Sequence, residues 1–153
     1  MGLFNSIDIA SSGLTAQRLR TDVIANNIAN ISTERTPEGG PFKRSRVIMR
    51  PRTQQAYWRS PFLPNGMDNG GGTGVRVSEI QKDTSTESRW RYDPDHPDAK
   101  KTGDHIGYVE MPNVDIVQEM TDMISATRAY EANASVIEGS KSMFQRALDI
   151  GRR

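Results

Sequence analysis

At 153 residues and without cysteine, the chain suits a single modest domain and excludes disulfides and thiolate chemistry. Its 20 basic and 19 acidic residues leave a formal net charge of +1, which marks neither a nucleic-acid binder nor an acidic tail. Only 35% of the residues are hydrophobic, and they gather toward the two ends, so the middle has little from which to build a large core.

The N-terminal segment, Leu3 to about Asn30, carries apolar side chains at alternating four- and three-residue steps: Leu3, Ile7, Ala10, Leu14, then Ile24 and Ile28, with Gln17 and Thr21 interrupting. That spacing predicts a helix packed lengthwise on another helix. Gly13 and the asparagines Asn26, Asn27 and Asn30 are poor interior helix residues, so the helix is expected to form fully only when packed. The asparagines either line a solvated face near the helix end or meet a neighbouring helix through their amides and fix its register. Asp8 interrupts the first apolar stretch and the first basic residue is Arg18, which is not the pattern of a secretory signal. Work outside the cytoplasm, which the missing cysteines suit, then requires another export route.

Thr36 to Pro41 reads as a turn. Phe42 to Arg52 alternates, placing Arg44, Arg46, Arg50 and Arg52 on one face of a strand. These four form a candidate partner-contact patch, facing either another subunit or an acidic polymer such as nucleic acid or cell wall. Tyr57, Trp58 and Arg59 lie nearby, but no recognition helix follows and the overall charge is near neutral, so nucleic acid is not the expected partner. Ser60 to Gly74 is a loop, Gly74 to about Ile80 a second strand, and Trp90 and Tyr92 sit in a third strand or edge. Tyr92 to Asp104 is a polar, proline-broken loop. As a calcium loop starting at Asp93 it fails at Pro97, Asp98 and Asp104, and Asn69 to Gly74 lacks the Gly-Lys-Ser/Thr of a phosphate cradle. No catalytic constellation, cofactor site or metal site is expected.

Tyr108 to Gly151 reads as one long helix. From Ile116 the seam runs through Met120, Met123, Thr127, Tyr130, Ala134, Ile137, Lys141, Phe144 and Leu148, and Val136, Met143 and Ile150 form a second stripe. Either Pro112 with Asn113 or Asp115 with Gln118 marks its start, and Gly151 its end. From Asp115 to Ile150 the rise is about 54 Å, too long for one small domain to cover, so the partner must be another long helix, in this chain or a neighbour. Seven acidic residues against three basic between Glu110 and Asp149 oppose seven basic against one acidic between Arg35 and Arg59, which favours head-to-tail docking of copies.

The run Ser12-Gly13-Leu14-Thr15-Ala16-Gln17-Arg18, continued by Asp22-Val23-Ile24-Ala25-Asn26-Asn27-Ile28-Ala29-Asn30, resembles the N-terminal signature of bacterial flagellar axial proteins, the rod, hook and hook-associated subunits. Glu119-Met120, Asp122-Met123-Ile124, Arg128 to Asn133 and Lys141-Ser142-Met143 resemble their other end. Tyr92-Asp93-Pro94, His96 to Ala99, Gly107-Tyr108-Val109 and Pro112-Asn113-Val114 are similar to the short subunits of the proximal rod.

The resemblance implies a structural protein without turnover, exported unfolded by the flagellar type III apparatus and transmitting torque across the periplasm. Implied partners are copies of itself, the other proximal-rod proteins B and F, the distal-rod protein G, the membrane-ring junction and peptidoglycan around the rod. The expected fold class is α+β: an N-terminal axial helix in residues 1–33, a β-rich middle in 34–110 and a C-terminal axial helix in 111–153, with the two helices paired as a coiled coil. The expected assembly interface comprises Leu14, Ile24, Asn27, Ile28, Asn30, Met120, Met123, Tyr130, Asn133, Ile137, Phe144 and Leu148.

Overall fold

A computed structural model describes residues 3–52 and 72–152, the side chain of Leu3 aside. The loop expected from Ser60 lies outside the described residues as far as 71, as do Tyr57, Trp58, Arg59 and the start of the glycine run at Asn69. The elements are α1 (Leu3–Ala29), β1 (Ser45–Pro51), β2 (Val75–Lys82), β3 (Arg89–Tyr92), β4 (Tyr108–Met111) and α2 (Ile116–Gly151). Two long helices thus flank two small antiparallel hairpins, β1–β2 and β3–β4, an α+β fold. No helix among the described residues is long and apolar enough to cross a membrane.

One element departs from the expectation. Tyr108–Met111 is a strand, paired with β3 so that Tyr92 faces Tyr108 and Arg89 faces Met111. The helical reading of the stretch absorbed it because four residues are too few to establish a two-residue period. The α2 helix begins only after Asp115, whose carboxylate accepts the Val117 N–H at 2.9 Å. Of the two candidate start signals, Asp115 is therefore the cap.

The chain forms two compact units. The first comprises residues 1–19, 48–79 and 127–153. In it α1 and α2 run antiparallel, Phe4 meeting Phe144 edge-on with ring centres 6.0 Å apart and Gly13 facing Asn133. A Cβ on Gly13 would lie 2.9 Å from the Asn133 amide, so the helices approach closely only because α1 carries no side chain there. Small buried residues, Ala10, Ser12, Ala16 and Ser140, make up this core. The Ser12 hydroxyl donates to the Ile9 carbonyl and accepts the Val75 N–H at 3.0 Å, which ties α1 to the start of β2.

The second unit comprises residues 20–47 and 80–126. Ile24, Val109, Val114 and Ala126 are its buried apolar residues. Its loop after β2 is folded by Asp83, which accepts from the N–H and hydroxyl groups of both Ser85 and Thr86. These bonds, the Thr86 hydroxyl foremost, hold the Asp83 carboxyl down at about 2, below its ordinary 3.8. Because the folded value is the lower one, the stabilisation is complete above pH 3.8 and lost as the pH falls through about 2. Replacing Asp83 with Asn should flatten this part of the pH dependence, measured as the urea midpoint between pH 5 and 2; an unchanged slope would refute the assignment.

Candidate assembly surface

The two faces of α2 separate what the chain uses internally from what it presents. Along α2, Glu119, Ala126 and Ser140 are buried and Asn133 is half-buried, a strict seven-residue series of small or polar side chains. The larger apolar residues of the expected seam lie beside this line. Met123 and Ile137 are half-buried, but Met120 is 54% exposed and Leu148 52%, and Tyr130 and Phe144 are also exposed. Val136, Met143 and Ile150 of the second stripe are exposed as well, together with Ile116, Val117 and Ile124. Exposed apolar side chains in such number along one helix suit contact with other molecules. On α1, Ile24 and Asn27 are buried, while Leu14, Ile28 and Asn30 are half-buried.

The buried line of α2 carries a polar junction in the second unit. Glu119 is fully buried, and the guanidinium of Arg44 meets its carboxylate through Nε. The Asn27 amide donates to the same carboxylate at 3.1 Å. Asn27 also exchanges two bonds with Ser45, accepting its N–H at 3.0 Å and donating to its carbonyl at 2.9 Å, so a side-chain amide stands in for a strand neighbour at the start of β1. Asp122 extends the junction to Arg20 at 3.1 Å and to Arg44 at 3.4 Å. Of the asparagine cluster, Asn27 is the residue that meets another helix. Asn30 bonds within its own turn to Asn26, which is the solvated-face reading.

This junction changes the reading of the arginine face. Arg44 is turned inward, Arg46 reaches Asp83 at 4.0 Å, and Arg52 reaches Asp8 at 3.8 Å in the first unit. Arg50 stays exposed. Part of the acidic excess of the C-terminal region is used locally: Glu110 pairs with Lys100, Asp115 with Arg89, and Glu119 and Asp122 with Arg44. Glu131, Glu138 and Asp149 are exposed and make no ion pair among the described residues.

A second cluster joins the segment after α1 to the loop after β3. Glu34, His96 and Asp98 bring ligand atoms within 4.8 Å of one another. Their arrangement is that of a clasp. His96 Nδ1 accepts the Asp98 N–H at 3.2 Å, which leaves the ring hydrogen on Nε2, 3.3 Å from Glu34. A metal-binding imidazole normally donates through its other nitrogen, whereas this one accepts. Arg91 and Arg35 stand 3.8 Å from Glu34 and Asp98 respectively and already balance the carboxylates.

Comparison with known proteins joins these features to a family. Residues 106–150 match the model of the flagellar basal body rod FlgEFG protein C-terminal region, and residues 7–35 that of the flagella basal body rod protein. A rod protein FlgC of Borreliella burgdorferi is 62% identical over 150 residues, covering 98% of each chain. The chain belongs to the FlgC family of flagellar basal-body rod proteins. FlgC proteins of Bacillus subtilis and Escherichia coli O6:H1 are 39% and 36% identical, over 99% of this chain and 100% of each relative. The rod-protein segments at 7–35 and 106–150 contain Asn27, Glu34 and Glu119, whereas Arg44, Ser45 and the β1–β2 hairpin fall between them.

Sequence reasoning missed Glu119. A single acid one residue before Met120 looks like the solvated flank of an amphipathic helix. Only the repeat at Ala126, Asn133 and Ser140, set against the equally small Ala10, Gly13 and Ala16 of α1, signals the close-packed line.

Proposed function

We infer that this chain is a structural subunit of the flagellar basal-body rod, and that it assembles through the outward apolar face of α2. Family membership supports the first part; the second rests on the exposure of Met120, Tyr130, Phe144 and Leu148 in the isolated chain. A long helix with apolar side chains exposed along it suits packing against other helices of the same kind, namely copies of this chain and the other rod subunits. The role is mechanical. Rotation passes from subunit to subunit as load on interlocked helices, with no substrate and no turnover.

Placement in the proximal rod follows from the stretch Tyr92 to Val114, and the neighbouring proximal and distal rod proteins are the partners this placement requires. Delivery by the flagellar export apparatus, and passage through peptidoglycan, belong to the same reading.

Replacing Leu148 with Asp tests it. The site is half-exposed in the free chain, so the change should alter its stability by no more than about 0.5 kcal/mol. In an assembled rod it buries an unpaired charge, at a cost of several kcal/mol. Cells carrying this variant should be non-motile, with the protein present but missing from purified basal bodies. Normal incorporation would overturn the assignment of this face.

A further inference from the structure

The β3–β4 hairpin turns one face inward and the other out. Val109 is buried on the first, and the register that sets Tyr92 opposite Tyr108 and Trp90 opposite Glu110 gathers these four side chains on the second. Four rings cross the outer face without a break. Tyr92 meets Tyr108 edge-on with ring centres 5.1 Å apart, Tyr108 meets His105 at 6.0 Å, and His105 stacks on Trp90 at 4.4 Å with 15° between the planes. The Lys100 ammonium stands 4.2 Å from the centre of the Trp90 ring and must take the side that the stacked His105 leaves open.

The array is built before any ligand arrives. Tyr92 is 65% exposed, yet its ring rests on Gly107, where a Cβ would lie 3.1 Å from Tyr92 Cε2. The loop carrying His105 and Ile106 is pinned at both ends, the Gly107 N–H donating to the Lys100 carbonyl at 2.9 Å and the Lys100 N–H to the Tyr108 carbonyl at 3.1 Å. Rings held in place this way lower the ordering cost of binding.

Two properties select the occupant. The charges around the array are largely paired within the chain, Lys100 with Glu110, Asp93 with Arg91 and Asp98 with Arg35, so the surroundings present no block of either sign to a polyion. The array is also small. Strands of four residues run about 13 Å and lie about 4.8 Å apart, which makes the outer face on the order of 150 Å², against roughly 800 Å² per partner in a stable protein interface. That area suits one or two sugar rings, whose axial C–H groups pack on aromatic faces and whose hydroxyls bond to side chains such as Lys100 and Glu110 at the edge. Ile106, 63% exposed, adds apolar surface suited to an acetyl methyl.

We propose that the Tyr92/Tyr108 face binds the glycan strand of peptidoglycan, a chain of N-acetylated hexosamine rings. The choice of this polymer rests on the rod reading above, which takes the chain through peptidoglycan; the ring-stacking chemistry stands apart from it. The contact holds by stacking and a few hydrogen bonds with no ion pair to break. It is therefore weak and short-lived, and leaves a rod free to turn.

The test mixes the purified full chain with an N-acetylglucosamine trimer and, separately, with intact peptidoglycan sacculi. The trimer should shift the ring NMR signals of Tyr92, Tyr108 and Trp90 with a millimolar Kd, and should release the chain from sacculi. Tyr92→Ala should weaken both interactions about tenfold, the scale of one lost aromatic contact. Tyr92→Phe keeps the ring and should bind as the wild type does. The proposal would be overturned by ring signals that the trimer leaves unmoved, by sacculi binding that the trimer does not release, by trimer binding without sacculi binding, or by equal binding of Tyr92→Ala. Leu148 belongs to the other unit, so Leu148→Asp should bind sacculi normally. Sacculi binding together with normal incorporation of Leu148→Asp overturns the rod-face reading alone; blocked incorporation of Leu148→Asp without sacculi binding by the wild type overturns this inference alone.

Discussion

Replacing Glu119 with Ala should destabilise the chain by about 3–5 kcal/mol, because one partner of a buried ion pair is lost while the other stays behind. The Arg44 side chain is only 11% exposed, and without Glu119 its Nε–H has no acceptor. Asn27 loses one of its two donor contacts in the same step, although its bonds to Ser45 remain. Urea denaturation reads the effect directly as a lowered midpoint. Glu119→Gln separates shape from charge: it keeps an acceptor for Arg44 but removes the negative charge, and should fall between wild type and Ala. Equal stability of Glu119→Ala and wild type would mean that the junction contributes nothing, and that Arg44 finds water when left alone.

Gly74→Ala should be the most damaging small substitution, costing about 3 kcal/mol from backbone strain and a lost capping bond together. Gly74 has φ of 101°, in the region that side-chain-bearing residues avoid, and an added Cβ would come within 2.3 Å of Ser12 Oγ. The Ser12 hydroxyl cannot yield without releasing the Val75 N–H that it accepts. Removing the obstructing oxygen should recover part of the loss, so Ser12→Ala/Gly74→Ala should cost less than the sum of the two single changes. Strict additivity in thermal melts would show that the two residues do not meet.

Much of the architecture could be read from spacing alone. The four-three steps from Ile7 to Ile28 and from Ile116 to Leu148 are long enough to establish a helical period, and Asp115 carries its capping role in its position. What escaped was of two kinds. Tyr108–Met111 was too short for its alternation to compete with the helical pattern that follows, and only pairing with Arg89–Tyr92 makes it a strand. The face of α2 that packs inside the chain escaped because apolar periodicity identifies the largest side chains, and here the closest packing uses the smallest: Gly13 against Asn133, with Ala126 and Ser140 on the same line. Of the large apolar residues, Met120, Tyr130, Phe144 and Leu148 are exposed in the isolated chain. Whether the cover comes from the same chain is a question of geometry, and periodicity does not contain it. Opposite charges also look alike in sequence whether they meet between two molecules or within one, as Arg44 and Glu119 do.

The Asn27–Ser45 exchange spans 18 residues of chain, whereas the bond from Asn27 to Glu119 spans 92. By loop length alone the second closure costs only about 1.4 kcal/mol more than the first. Because α1 needs a packing partner to form fully, Asn27 takes its place beside Arg44 as the long α2 segment docks. A single buried carboxylate tells that segment when it has arrived at the correct turn rather than one turn early or late.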